Sequence, residues 1–418
     1  MVGLWLAGAA IAFGAVVIAA TFYGLRKPLL FLVGVTGGLE HAQVHKVHLF
    51  VFAVFLLMLS GRRKDGHALT RYAVIIPVAT AILCVSVPLG SLVNSRLFAL
   101  QLLLLSLVAA ALVVTLRPGE VRTVLSGLLA VISVGSTVAV MQYAHLLPLV
   151  LFRGAPRPMG IYSEPDWLAL FAALGIVLAA RAPLGNRVRF CLISLNGAAC
   201  AVAVARGAWL ALIVVFAFNA VASLVVRNNP DKQPGTGRLI GVFLVAGVLI
   251  LSLNGSLRQT IVARVQGATQ SSSLDNTAQD RLVQTRALLS LAQKEPWHGF
   301  GLSAEGRVQP FGQIQYAGTS ANNVTSDWIL GWWVDGGYLA LPLIALFLYA
   351  AIRRLPRTPS LLLLLVLTNG FFSNATPLPI TWLTLALVMS LSQAANCQET
   401  SPIVSVPNGK RLAVSGAM

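Results

Sequence analysis

Apolar runs long enough to cross about 30 Å of hydrocarbon follow one another along nearly the whole chain, and that repetition constrains the fold more than any motif does. Inside a bilayer every backbone polar group has to be satisfied by the protein itself, so runs of this length become helices. Of 418 residues, 57% are hydrophobic and only 10% are charged, with a mean hydropathy of +0.80, which is far too apolar for a soluble domain of this size. The expected fold class is an all-α polytopic membrane protein of about twelve transmembrane helices.

Spans are expected at 4–23, 44–60, 72–94, 97–116, 123–143, 165–180, 189–205, 208–226, 239–254, 328–352, 359–373 and 378–394. The first has no basic region before it and no small-residue cleavage site, so it reads as a retained span and not a removed signal. Residues 28–60 are too many for one span, and Glu40, His41, His45, Lys46 and His48 interrupt them. Either an interfacial stretch precedes one helix there, or two short helices replace it. The chain then divides into nine spans over 1–253, a long loop over 254–327, three spans over 328–394 and a cytoplasmic tail over 395–418.

The net charge of +17 and pI near 10.7 suggest nucleic acid in a soluble protein, but here the excess is topogenic. No basic run is interleaved with aromatics, so nucleic-acid binding is not expected. Dense basic loops follow alternate spans: Arg62-Arg63-Lys64, Arg117 with Arg122, Arg181 with Arg187 and Arg189, Arg227 with Lys232 and Arg238, and Arg353-Arg354 with Arg357. That periodicity assigns them to the cytoplasm and the intervening loops to the other side. Cys84, Cys191 and Cys200 fall in or beside apolar runs and Cys397 in the tail, with neither disulfide nor metal-ligand spacing.

The long outer loop is the one sizeable soluble element. Its run Gln279 to Lys294 sets Leu282, Leu288, Leu289 and Leu291 among polar residues, with Asp275 or Asn276 as N-cap, and reads as an amphipathic helix stopped by Pro296. Gly299, Gly301, Gly306 and Gly312 then make a turn-rich stretch.

Three of the arginines on the outer side stand out against the general charge bias. Arg206 lies in an apolar run near the end of a span, where a charge costs from about 2.5 kcal/mol upward unless it is paired or hydrated. It either snorkels to headgroups or lines a watery cavity. Arg157 sits between closely spaced prolines that restrict the backbone, as a headgroup contact or as part of a site. Arg281, beside Asp280, is either a solvated helix residue or a ligand-binding one.

In order, Arg157-x-x-Gly160 with Pro165-Asp166 opening a span, Arg206-Gly-Ala in a later span, Arg281 ahead of Pro296-Trp-His-Gly299-Phe-Gly301, and Ser320-Ala-Asn322-Asn323 through Trp333-Val-Asp335-Gly336-Gly337-Tyr-Leu resemble the O-antigen ligase and polymerase superfamily of membrane glycosyltransferases. The resemblance covers roughly Arg157 to Leu339. It implies a GT-C-like helical fold in the bacterial inner membrane and a site facing the periplasm. It also implies transfer of a glycan, with inversion, from a polyprenyl (undecaprenyl) diphosphate to a glycan or lipid A-core hydroxyl, without metal or cofactor. Arg157, Arg206 and Arg281 are then the diphosphate ligands, with Asp166 and Asn322 as further catalytic positions. Guanidinium forks suit that task, because they match phosphate oxygens bidentately and stay charged at any relevant pH. The outer loops carry no Asp-x-Asp pair, which fits a metal-free site.

One position departs from the family. Where the ligases carry a histidine, this chain has Asn322, which accepts no proton at neutral pH. A base, if one is used, comes from among Glu164, Asp166, His145, His298, Glu305 and Asp327. The change favours a polymerase over a ligase. A transporter or flippase of lipid-linked glycans is the reading from another class, since intramembrane arginines and many spans suit it too.

Overall fold

The computed structural model describes residues 25–40, 42–44, 47–60, 71–87, 93–149, 151–152, 155–225, 276–302, 304, 327–355, 357–373 and 375–399. They are mostly helical: α1 Arg26–Gly37, α2 Leu49–Leu59, α3 Arg71–Cys84, α4 Val93–Thr115, α5 Val121–Tyr143, α6 Pro165–Arg181, α7 Asn186–Ala203, α8 Arg206–Val225, α9 Asn276–Lys294, α10 Trp328–Gly336, α11 Leu341–Arg353, α12 Thr358–Asn369 and α13 Pro379–Glu399. Among the described residues, three apolar stretches are by length and composition sufficient to cross a membrane, Arg96–Thr115, Val121–Tyr143 and Trp328–Arg353. The expected spans 4–23 and 239–254 lie outside the described residues.

Helix α6 is the centre of the bundle. Nearly every residue from Leu168 to Ala179 is buried, and the helix packs against α5, α7, α8 and α12. Its neighbours come close where side chains are small: Gly175 faces Asn196 of α7, which accepts a 2.8 Å hydrogen bond from Ser136 of α5. Helices α1 and α5 cross closely as well, because Gly34 lies on the Val124 carbonyl and Gly127 on the Phe31 carbonyl.

Residues 28–60 resolve into two short helices, α1 and α2, joined through a hairpin of β1 (Gln43–Val44) and β2 (Val47–His48). Of the polar residues that interrupt the hydropathy, Glu40 follows the end of α1 and His48 immediately precedes α2. Glu40 and His48 are 3% and 2% exposed, and each has polar partners: Ser163 for Glu40, Gln43 and Gln101 for His48.

The stretch 328–352, expected as one span, is bent. Carried on a straight helix, Trp332 and Phe347 would stand about 22 Å apart, whereas their ring centroids are 5.6 Å apart. The chain turns through Gly337–Ala340, a tighter helical turn that Gly337 enters with φ +53°. Trp328, Trp332, Phe347 and Trp382 then interlock in the core, edge to face except for the tilted Trp332–Phe347 pair. The last helix, α13, runs to Glu399, past the limit of 394 that apolarity alone suggests.

The arginines divide the bundle into two ends. Arg26 at the start of α1 pairs with Glu120 at 2.5 Å and donates to the Thr115 carbonyl at the end of α4. Arg181 at the end of α6 bonds Asn219 of α8, Arg189 at the start of α7 caps the Ala182 and Leu184 carbonyls, and Arg353 at the end of α11 lies on Tyr349. All belong to what we call the basic end.

Candidate functional site

At the opposite end, α7 stops at Ala203 because Val204 adopts φ +52°, a left-handed conformation unusual for a β-branched residue. Two residues later α8 begins with Arg206 and descends along another side of α6. The end of α7 leaves carbonyls without helical partners, and the start of α8 leaves amides without them. Arg157 answers the first need: its Nη2 donates to the Ala203 carbonyl at 2.6 Å. Cations suit a helix C-terminus, so this contact is a cap in its own right. The carbonyl it caps lies three residues before Arg206, which begins α8. Both arginines are half-buried.

The segment carrying Arg157 folds along the outer part of α5 and is held at successive residues. Gln142 Oε1 accepts from the Met159 and Gly160 amides at 3.1 and 2.9 Å. Gly160, at φ +64°, rests on the Gly135 carbonyl, where no Cβ fits. The Tyr162 ring stacks on Phe171 with centroids 4.5 Å apart. Burial first, then the charge of Glu40, holds the Tyr162 phenol far above the ordinary tyrosine range. Ser163 donates its hydroxyl and its amide to the two oxygens of Glu40.

The two glycine-rich stretches of the family resemblance meet each other. Phe300 and Gly301 amides bond the Val334 and Asp335 carbonyls, and the Tyr338 amide bonds the Pro296 carbonyl. Gly299 and Gly337 lie so close to the facing backbone that a Cβ on either would fall within 2.6 Å of it. Packing therefore accounts for these glycines. The amphipathic helix α9 sits on the same platform through Leu288, Leu291 and Ala292, against Val334, Leu330 and Trp333. Leu289, expected on that face, is 48% exposed instead, because its position on the 3.6-residue period points it away.

This platform reaches the arginine pair through α12. The Trp328 amide bonds the Gly370 carbonyl, and Phe372, two residues on, covers Gly207 next to Arg206. The starts of α8 and α10 therefore open at one end of the bundle, together with Arg157. Arg281 lies in the first turns of α9, with its side chain outside the described residues, and Asn322 lies outside them altogether.

Among the candidate bases, Asp327 is a helix cap, accepting from the Ile329 and Leu330 amides at 3.0 and 3.1 Å. Glu164 and Asp166 are half-buried at the start of α6, with Glu164 rather than Asp166 at the N-cap position. His145 is exposed, His298 is exposed beside Glu295 at 3.8 Å, and Glu305 lies outside the described residues. Glu40 is the residue that sequence reasoning passed over. The signal was a carboxylate inside an apolar stretch, but its partner lies 123 residues away. No family model matches this chain, and no curated protein matches it either.

Proposed function

We propose that the protein is a glycosyltransferase of the bacterial inner membrane, with about twelve spans in a GT-C-like arrangement. It moves a glycan from a polyprenyl (undecaprenyl) diphosphate to a sugar hydroxyl in O-antigen or exopolysaccharide assembly, at a site open to the periplasm. One observation carries the reading: Arg157 is tied to the Ala203 carbonyl at the break that starts the helix headed by Arg206. In this reading both guanidinium groups and the N-terminus of α8 serve one diphosphate, which carries two negative charges in the donor and gains a third as it leaves. Arg281, in the first turns of α9, is proposed as the third diphosphate ligand because of the family resemblance alone.

In the reaction the acceptor oxygen attacks the anomeric carbon from the side opposite the diphosphate. The new C–O bond forms as the bond to the diphosphate oxygen breaks, and the configuration inverts. The electron pair leaves on the polyprenyl diphosphate, where guanidinium groups stabilise it, and the hydroxyl proton passes to a carboxylate at the helix ends or to water. The acceptor is a growing repeat-unit chain in preference to a lipid A-core sugar, because Asn322 stands where the ligases carry histidine.

The test uses full-length protein in liposomes with a synthetic polyprenyl-diphosphate glycan and acceptor. Free polyprenyl diphosphate is expected together with an extended glycan, and both are lost on Arg206→Ala. Movement of intact donor between leaflets without cleavage would establish a transporter instead. A glycan profile of a deletion strain separates the acceptors: unit-length chains on core mean lost polymerisation, and polymer held on the carrier lipid means lost ligation.

A further inference from the structure

Glu40 closes α1 at the end of the bundle that holds the arginine pair, and at 3% exposure it is sealed from solvent. Burying a carboxylate is unfavourable unless its oxygens are hydrogen-bonded. Ser163 supplies the bonds, with its hydroxyl 2.5 Å from Oε1 and its amide 3.3 Å from Oε2. Ser163 lies at the far end of the segment that begins with Arg157. Between the two, Gln142 holds the Met159 and Gly160 amides, Gly160 has no room to shift from Gly135, and Tyr162 is stacked on Phe171. The segment is thus fixed at one end by Arg157 on Ala203 and at the other by Ser163 on Glu40.

We propose that Glu40 is a positioning residue: through Ser163 it fixes the backbone that carries Arg157, and so the placement of that guanidinium beside Arg206. The proposal rests on the reading of Arg157 as a diphosphate ligand. Glu40 does not touch the donor. It lets α1, which packs along α5, set the geometry of a site built from residues far along the chain.

Two measurements on the full-length protein in detergent test it. The first is hydrogen exchange of the 157–164 amides without ligand, and the second is affinity for farnesyl diphosphate. Glu40→Ala is expected to speed exchange in that segment about tenfold or more, while Glu40→Gln, which keeps an acceptor for the Ser163 hydroxyl, restores most of the protection. Glu40→Ala is also expected to weaken farnesyl diphosphate binding about tenfold, with no further loss when it is added to Arg157→Ala. Should Glu40→Ala not fold, Ser163→Ala gives the same readouts at smaller size, since it removes the hydroxyl bond alone. Unchanged exchange in the variants, or a binding loss that adds in full to that of Arg157→Ala, overturns the proposal. Faster exchange in a protein whose wild type binds no farnesyl diphosphate leaves Glu40 as the anchor of this segment and removes the diphosphate reading instead.

Discussion

At the basic end, each at or near the terminus of a helix, Arg26 lies against Glu120 and Arg181 against Asn219 of another helix, and Arg353 against Tyr349 one turn back on its own helix. At the opposite end the ties run through one segment of chain: Arg157 caps a broken helix at its start, and Ser163 holds the buried Glu40 at its far end. The basic end is therefore a set of separate ties, each between its own pair of groups. The other end is a connected structure in which moving one group moves the rest, which is what a preorganised site requires.

The sharpest way to break this comparison is to remove one arginine from each end. Arg206→Ala is expected to lower turnover on the order of 10²–10³-fold, in line with loss of one transition-state donor. Arg181→Ala, whose hydrogen bond to the buried Asn219 lies at the far end of the bundle from Arg157 and Arg206, is expected to stay within about fivefold. Equal losses in a glycan-transfer assay would erase the distinction between the ends.

Glycines give a second contrast, in stability. Gly337 has φ +53° and no space for a Cβ before the Pro296 carbonyl, whereas nothing stands within 4 Å of a Cβ on Gly119 at the basic end. Gly337→Ala is expected to cost about 2–4 kcal/mol, and Gly119→Ala almost nothing, as read from thermal unfolding in detergent.

The smallest expected effect is a difference in sign with pH. Burial raises the Glu120 carboxyl, but the Arg26 bond and charge with the Arg117 amide outweigh it and leave the group below its ordinary 4.5. Folding therefore favours the ionised form, and its contribution is present above pH 4.5 and lost as pH falls through the lower folded value. Asp327 runs the other way. Burial raises it above the ordinary 3.8 and the Leu330 and Ile329 amides offset only part, so its contribution is full below 3.8 and lost as pH rises through the folded value. In melting curves over about pH 3–6, Glu120→Gln should flatten the acid-side loss and Asp327→Asn, which keeps the cap, should flatten the opposing slope. Matching slopes in both variants would show that these two carboxyls are not the groups responsible.

Much of the helical layout is legible in the sequence because apolar length alone sets where a helix can cross a membrane, as α4 and α5 illustrate. Hydropathy fails where a buried polar group has a distant partner. The split of residues 28–60 depends on Glu40 meeting Ser163 and on His48 meeting Gln101, and no local pattern encodes either. It fails also at Gly336-Gly337, which reads as continuous apolar helix until the backbone of Pro296 packs against it. For the site, the arginines and their order were readable, and so was the amphipathic helix α9. The joining of Arg157 to the carbonyl three residues before Arg206 was not, because it depends on Val204 ending a helix in an otherwise uninterrupted apolar run.

The central claim is that Arg157 and Arg206 share one diphosphate at the α7–α8 break. Its most direct test is an electron cryomicroscopy structure of the full chain with bound polyprenyl diphosphate. The account predicts phosphate density within hydrogen-bond reach of both guanidinium groups and of the first amides of α8. Density at the basic end, beside Arg181 or Arg353, or contact with neither Arg157 nor Arg206, would contradict it.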